Sequence, residues 1–374
     1  MVGKIFFRLA GAALFLAPFP ALAKPGDIIP NSFICIFKPG PISTGSEARS
    51  SAAAVGGRLR HVYSHVLNGF SVYMSATAAQ RMMAKTPLIT SCTQDRVVSI
   101  PPTIVGEISA RGGPPGASGS TQSTPWGIKR VGGAGSSSGT AWIIDTGIDL
   151  SHPDLNVSQT DNISFLPADA SPNDSNGHGT HVAGIIGAKA NTIGVIGVAA
   201  GARVVAVRVL DAAGNGADSD VIKGLDYVVA KGRPGDVINL SLITAGMTEL
   251  DQAVVAAANA GFFIAIAAGN SSANAGSYSP ARANGAGIYT VSAIDNKDVF
   301  ARYSNWGNPP IDFAEPGSSI LSTYKGGTYA TLSGTSMAAP HLAGILLLNG
   351  GAGPFTNGVA IRDPDGRADP IGVK

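Results

Sequence analysis

The chain has 374 residues, 13% of them charged, with 49 glycines and a formal net charge of +2. That length holds two ordinary domains with real cores, and so little charge with so much glycine excludes a disordered chain in favour of a compact, loop-rich α/β protein. No block of Lys or Arg stands out, which argues against nucleic acid or an acidic surface as a partner.

The chain opens on residues 1–23, which read as a secretory signal peptide. Lys4 and Arg8 form a short basic start, residues 9–17 an apolar core, and Ala21-Leu22-Ala23 a small-residue cleavage site. The apolar run is shorter than the roughly 20 residues a spanning helix needs. We therefore expect no membrane anchor and a secreted product, extracellular or periplasmic.

Residues 24–105 read as a small α+β domain. Residues 32–37 form an apolar strand and 46–55 a weak, Ala-rich helix. Residues 61–66 and 69–74 read as a hairpin about Leu67-Asn68-Gly69, with Asn-Gly as the turn signal. Residues 77–85 read as a helix capped by Thr77 and stopped by Thr86-Pro87, and 88–100 as a closing strand. The order strand–helix–strand–strand–helix–strand is the ferredoxin-like one. The only cysteines, Cys35 and Cys92, lie here. Export permits a bridge between them, and two buried thiols fit the sequence as well. Residues 106–123, rich in Gly, Pro and Ser, read as a flexible linker and domain boundary.

Residues 124–374 make the larger domain. A short apolar strand, 141–144, runs straight into Asp145-Thr146-Gly147. A carboxylate at the end of a buried strand is where open α/β sheets hold their chemistry. Next, Asn176-Gly177-His178-Gly179-Thr180-His181 opens an apolar, small-residue helix. A histidine so placed can be held by a carboxylate through one ring nitrogen and serve a nucleophile with the other. Zinc at His178 and His181 is the rival reading, but neither the glutamate of a His-Glu-x-x-His pair nor a third ligand spacing is present. Strands over 203–210, 236–242, 262–268 and 288–294 alternate with helices over 218–230 and 249–260. Near-continuous apolar strands separated by helices mean a parallel sheet covered on both faces. Asn270 follows the third of these strands and can aim its amide at a developing oxyanion.

Gly334-Thr335-Ser336-Met337-Ala338-Ala339-Pro340-His341 leads into an apolar helix. Ser336 falls at the helix N-terminus, where free N–H groups favour an anion. Pro340 is expected in the first turn, where its missing N–H costs little. Gly135-Ser136-Ser137-Ser138-Gly139 also fits a Gly-x-Ser-x-Gly pattern, yet a loop precedes it and a strand follows, so Ser137 reads as loop.

The strings around Asp145, His178 and Ser336 come in the order Asp, His, Ser, the order of subtilisin. The chain resembles the subtilisin-like serine proteases, the subtilases, with the proteinase K branch nearest. Thr124-Pro125-Trp126-Gly127-Ile128, Val207-Arg208-Val209-Leu210-Asp211 and Tyr303-Ser304-Asn305-Trp306-Gly307 add to the likeness, which covers residues 124–349. Residues 31–104 resemble the inhibitory propeptide of that family. The resemblance implies a three-layer fold with a mostly parallel sheet covered by helices, preceded by the ferredoxin-like prodomain. It implies Ser336 as nucleophile, His178 as general base and then acid, Asp145 as the group that orients His178, and Asn270 with the Ser336 N–H as oxyanion hole. It places substrate clamps at Gly214-Asn215-Gly216 and Ser241-Leu242, a specificity pocket walled by residues 267–269 ending in Gly269, and a calcium ligand at Asp312. Ile243 and Glu315 depart from the family, which has glycine and a small residue there. The tail beyond Pro354 matches nothing in it.

The expected function is thus a secreted serine endopeptidase, a monomer made as a self-processing zymogen. It would cut protein or peptide substrates, with its own propeptide as intramolecular inhibitor. The cut is expected after Thr103, between Ile104 and Gly106, or later in the linker, since Pro101-Pro102 resists cleavage beside itself. The alternatives are a catalytically inactive relative acting as a binding module, and an N-terminal domain that inhibits proteases on its own account.

Overall fold

The computed structural model describes residues 23–40, 43–109 and 122–374. The expected signal peptide, residue 23 apart, and most of the expected linker lie outside the described residues.

The N-terminal domain runs β1 (Ile28–Phe37), α1 (Thr44–Ala54), β2 (Arg58–Tyr63), β3 (Gly69–Tyr73), α2 (Ala76–Lys85) and β4 (Ile89–Ser99). The sheet order β4-β1-β3-β2 is antiparallel throughout, as the ferredoxin-like order requires. Period-2 alternation along β1 sends Phe33, Cys35 and Phe37 into a core with the two helices. It sends Ile34 to the opposite face, where Ile34, Tyr63 and Val98 join the core of the larger domain. Cys35 and Cys92 stand opposite each other in the β1–β4 register and are bridged, with an S–S distance of 2.11 Å.

Two local expectations need correction. The cap of α2 is Ser75, whose hydroxyl accepts from the Ala78 N–H at 3.2 Å, and not Thr77. The strand expected over 61–66 stops at Tyr63 because the next three N–H groups leave the ladder. Those of Ser64, His65 and Val66 all donate to Asp226 Oδ1, at 2.8, 2.7 and 3.3 Å.

The expected linker also begins in regular structure. β5 (Ile104–Ser109) pairs antiparallel with the strand Thr328–Ser333, which forms a hairpin with Ile320–Tyr324. The open hairpin edge supplies the ladder partners that a Gly-rich stretch read in isolation lacks.

In the larger domain the helices are α3 (Trp126–Arg130), α4 (His178–Gly187), α5 (Asp218–Lys231), α6 (Thr248–Asn259) and α7 (Thr335–Leu348). The central sheet runs Ile311–Pro316, Ile288–Ile294, Phe263–Ala267, Val237–Leu240, Thr140–Asp145, Arg203–Arg208, with every neighbouring pair parallel. Ile143, Ala265 and Ala267 face α4 and α7, while Ile144, Ile264 and Ile266 face α5 and α6. Both faces of each strand are buried, which is why the strands read as unbroken apolar runs. This is the three-layer, subtilisin-like architecture.

The tail beyond Pro354 extends that sheet. Pro370–Val373 pairs parallel with Ile311–Pro316, and Phe355–Val359 pairs antiparallel with Pro370–Val373. Its course accounts for the departure at Glu315, whose side chain is fully buried against Gly372. Burial pushes that carboxyl well above the usual range.

Helix α7 corrects one more expectation. Pro340 is the sixth residue of α7, inside the helix and past its first turn. Lacking an N–H, it leaves the Ser336 carbonyl four residues back without its helical donor. The hydroxyl of Ser241 takes that place, donating to the Ser336 carbonyl at 3.1 Å.

Candidate active site

Asp145 ends its strand fully buried, with Oδ1 accepting the Thr146 N–H at 2.7 Å. His178 is the first residue of α4, behind Gly177 in a left-handed conformation (φ 113°). A side chain at Gly177 would also run into the Tyr324 ring, 2.3 Å from its Cβ. The His178 ring sets Nδ1 2.8 and 3.0 Å from the two Asp145 carboxylate oxygens. A carboxylate there takes the Nδ1–H and leaves Nε2 as the free base.

The start of α4 is held by a residue that sequence reasoning misses. Gly177 carries no side-chain cap, and Asp174 substitutes for one. Its Oδ1 accepts from the N–H groups of Asn176 and Gly177, and its Oδ2 from the N–H and hydroxyl of Thr180. The Thr146 hydroxyl donates to Asp174 and accepts the Gly179 N–H, tying the Asp145 turn to the His178 helix. The only signal in the sequence is an Asp shortly before a helix start.

Ser336 is the second residue of α7 and is fully buried. Its Oγ lies 3.4 Å from the Ser241 carbonyl, and His178 Nε2 is buried with no hydrogen-bond partner. Asn270 is oriented by Thr335, whose N–H and hydroxyl both donate to Asn270 Oδ1, at 2.9 and 2.8 Å. With its oxygen fixed, Asn270 Nδ2 donates to the Pro102 carbonyl at 2.9 Å.

The end of β4 threads between the two expected clamps. Val97, Val98 and Ser99 pair antiparallel with the strand Asn215–Ala217, and the Ile100 N–H donates to the Gly214 carbonyl at 3.0 Å. On the other side the pairing runs through Ile243, which exchanges N–H···O bonds of 2.9 and 2.8 Å with Ser99. The Leu242 side chain, one residue earlier, is buried in the core beside α5 and α6. Gly269 faces Ile243 closely: a Cβ there would lie 2.3 Å from Ile243 Cδ1.

The zinc alternative fails on geometry. His181 Nε2 lies 2.9 and 3.1 Å from the carbonyl oxygens of Ala330 and Ile320, and burial pushes the ring down to about 3. Ser137 lies in a loop, where its hydroxyl accepts the Gly139 N–H. At Asp312, Oδ2 accepts the Thr290 N–H at 2.9 Å, and burial pushes the carboxyl up to about 6. Calcium takes six to eight oxygens, carboxylates prominent among them. Among the described residues no group of three His, Cys, Asp or Glu could hold a metal, so side chains build no cage at Asp312. No helix of the described residues is long and apolar enough to cross a membrane.

With this geometry in view, the likenesses to known proteins are specific. The profile described as "Subtilase family" matches residues 141–360. M-protease of Shouchella clausii is 43% identical over 251 residues, 65% of this chain and 63% of its own length. Alkaline serine exoprotease A of Vibrio alginolyticus is 32% identical over 357 residues, 88% of this chain and 62% of its own. The chain thus spans less than two thirds of the length of either relative. A crystal structure of a cold adapted subtilisin-like serine proteinase is similar with a TM-score of 0.59 and 35% identity, covering 66% of this chain and 96% of that one. The matched stretch carries Asp145, His178, Asn270 and Ser336 on one parallel-sheet scaffold, and the chain belongs to the subtilase family.

Proposed function

We propose that the protein is a serine endopeptidase made as a zymogen that cuts itself between Pro102 and Thr103. One observation carries the reading: the Pro102 carbonyl accepts the Asn270 amide beside Ser336, while the residues before it are paired on both sides. The sequence alone favours a cut after Thr103 or later. The carbonyl held by Asn270 favours one bond earlier, where the leaving nitrogen belongs to Thr103 and not to a proline.

In this mechanism Ser336 Oγ attacks the Pro102 carbonyl carbon as His178 Nε2 takes its proton. Asp145 keeps the ring in position and stabilises the imidazolium. The oxyanion forms against the Asn270 amide and the N–H of Ser336 at the start of α7. Collapse breaks the C–N bond, with His178 returning the proton to the Thr103 nitrogen. Water, deprotonated by the same ring, then frees Pro102 from the serine. The bond and the nucleophile share one molecule, so the effective concentration is high and the cut is independent of dilution.

The released N-terminal domain is the inhibitor. Its β4 lies across the clamps, and contacts with α5 hold it there. Asp95 accepts from the Ser219 N–H and hydroxyl at the start of α5, and His61 and Arg60 pair with Asp220. Protein or peptide substrates would take the place of β4. Export rests on residues 1–23. Calcium at Asp312 rests on the resemblance alone; a melting temperature lowered by chelator in wild type but not in Asp312→Asn would support it.

The decisive experiment is expression of wild type and Ser336→Ala, with mass spectrometry of each and labelling by a fluorophosphonate. Wild type should begin at Thr103 or beyond and carry label on Ser336. The variant should remain joined through residue 103 and unlabelled. Processing of purified Ser336→Ala with no other protease present would overturn the reading.

A further inference from the structure

We propose that the outer edge of the strand Thr328–Ser333 is an extended docking site for the leaving side of the substrate, reaching to the seventh residue beyond the cut bond. The proposal rests on the peptidase reading above and deepens it.

Immediately after Thr103 the chain pairs with this edge, matching Ile104 to Ser333, Val105 to Leu332, Ile108 to Ala330 and Ser109 to Tyr329. The side chains contribute little, since Ile104, Val105 and Ile108 are 62%, 55% and 53% exposed. Main-chain pairing therefore holds the segment, as in strand addition to a sheet edge, and tolerates many sequences. The exception is the irregularity between Ala330 and Leu332. There a Cβ on Gly106 would sit 3.0 Å from the Thr331 carbonyl oxygen, tighter than an ordinary contact. Gly106 is the fourth residue after the Pro102–Thr103 bond, so that position should favour glycine.

The edge is rigid and in register with the chemistry. Its strand ends three residues before Ser336. Its hairpin is stitched to the His178 helix: the Ser322 and Thr323 hydroxyls donate to the His181 and Thr180 carbonyls, and His181 Nε2 bonds the Ala330 carbonyl. A peptide paired here is thus positioned against both His178 and Ser336.

The test uses the full chain after its own processing, and internally quenched peptides identical up to the cut bond. One series ends two residues past the bond and another seven. The longer peptide should show roughly tenfold higher kcat/KM, mostly through KM, as a few ladder hydrogen bonds allow. N-methylation of the paired residues, or valine for glycine at the fourth position, should remove the gain. In the full chain, Gly106→Val should slow conversion of precursor to mature form. A kcat/KM independent of length and N-methylation, with normal cleavage of short peptides, overturns this proposal and leaves the peptidase intact. Failure to cut any peptide or to label Ser336 overturns both.

Discussion

Thr335 gives both its main-chain N–H and its hydroxyl to the side-chain oxygen of Asn270, and this leaves the Asn270 amide nitrogen only one way to point. The hydroxyl also accepts the Gly269 N–H at 3.0 Å, so one side chain ties the start of α7 to the Gly269-Asn270 turn. Asn270→Ala should reduce turnover by about 10²–10³, the loss that follows removal of the equivalent oxyanion-hole donor from a subtilisin. Thr335→Val should lower kcat with KM nearly unmoved, and Thr335→Ser should restore it. Unchanged kcat in Thr335→Val would show that Asn270 needs no such orientation.

The Ser241 hydroxyl repairs the gap that Pro340 opens in α7. Removing it strands a buried carbonyl, which costs about 1–3 kcal/mol. Ser241→Ala should therefore lower the denaturant midpoint. Adding Pro340→Ala restores a helical N–H to the Ser336 carbonyl and should recover much of the loss. A double variant no more stable than Ser241→Ala would refute the repair.

How much of this the sequence discloses depends on how local each signal is. Asp145, His178, Ser336 and Asn270 sit at strand ends and helix starts, where apolar runs and glycines mark the position. Asp174, Thr335 and Ser241 act through hydrogen bonds to groups of distant segments, which leave no periodic trace. Pro340 reads as a first-turn proline until the helix start is known to the residue. β5 and the strand Pro370–Val373 are completed by remote partners, Thr328–Ser333 and Ile311–Pro316, so their stretches read as loop. The Cys35–Cys92 bridge stays open in the sequence for the same reason: it depends on the register between β1 and β4.

That bridge closes a loop with a sequence separation of 57. By chain entropy such a crosslink contributes about 4 kcal/mol. Cys35→Ala with Cys92→Ala should lower the melting temperature of the N-terminal unit in the Ser336→Ala precursor. A mature enzyme cut at Pro102–Thr103, as proposed, would lack both residues and should melt alike whichever precursor it came from. Precursors of equal stability would mean that the bridge contributes nothing to folding.

His181 supplies a pH-dependent term. In the folded chain burial holds its ring at about 3, against 6.5 unperturbed. Between those values the unfolded chain binds a proton that the native one refuses. Its contribution is therefore present above about pH 6.5 and lost progressively toward pH 3. The stability of wild type minus that of His181→Gln should shrink as pH falls through this window. Taking the difference removes the buried carboxyls common to both proteins. A difference flat in pH from urea melts at pH 7 and pH 4.5 would show that the ring does not titrate in this way.

Ile243 should set which residue is accepted on the acyl side of the cut bond. Its main chain pairs with Ser99 on the way to Pro102, and its side chain is only 2% exposed. Its Cδ1 lies where a Cβ on Gly269 would collide with it, at 2.3 Å. Residues 267–269 wall the pocket that the family resemblance assigns to that side chain. Ile243 thus fills space that a large ring would need, and the chain's own segment offers the compact Pro102 there. Each methylene in such a pocket changes selectivity by about 10–200-fold. Ile243→Gly should accordingly raise the kcat/KM ratio of phenylalanine over alanine at that position by roughly tenfold or more, with the alanine value little changed. Peptides differing only at that residue, assayed on wild type and variant, give the ratio directly. An unchanged ratio would mean that the pocket is bounded by something other than Ile243.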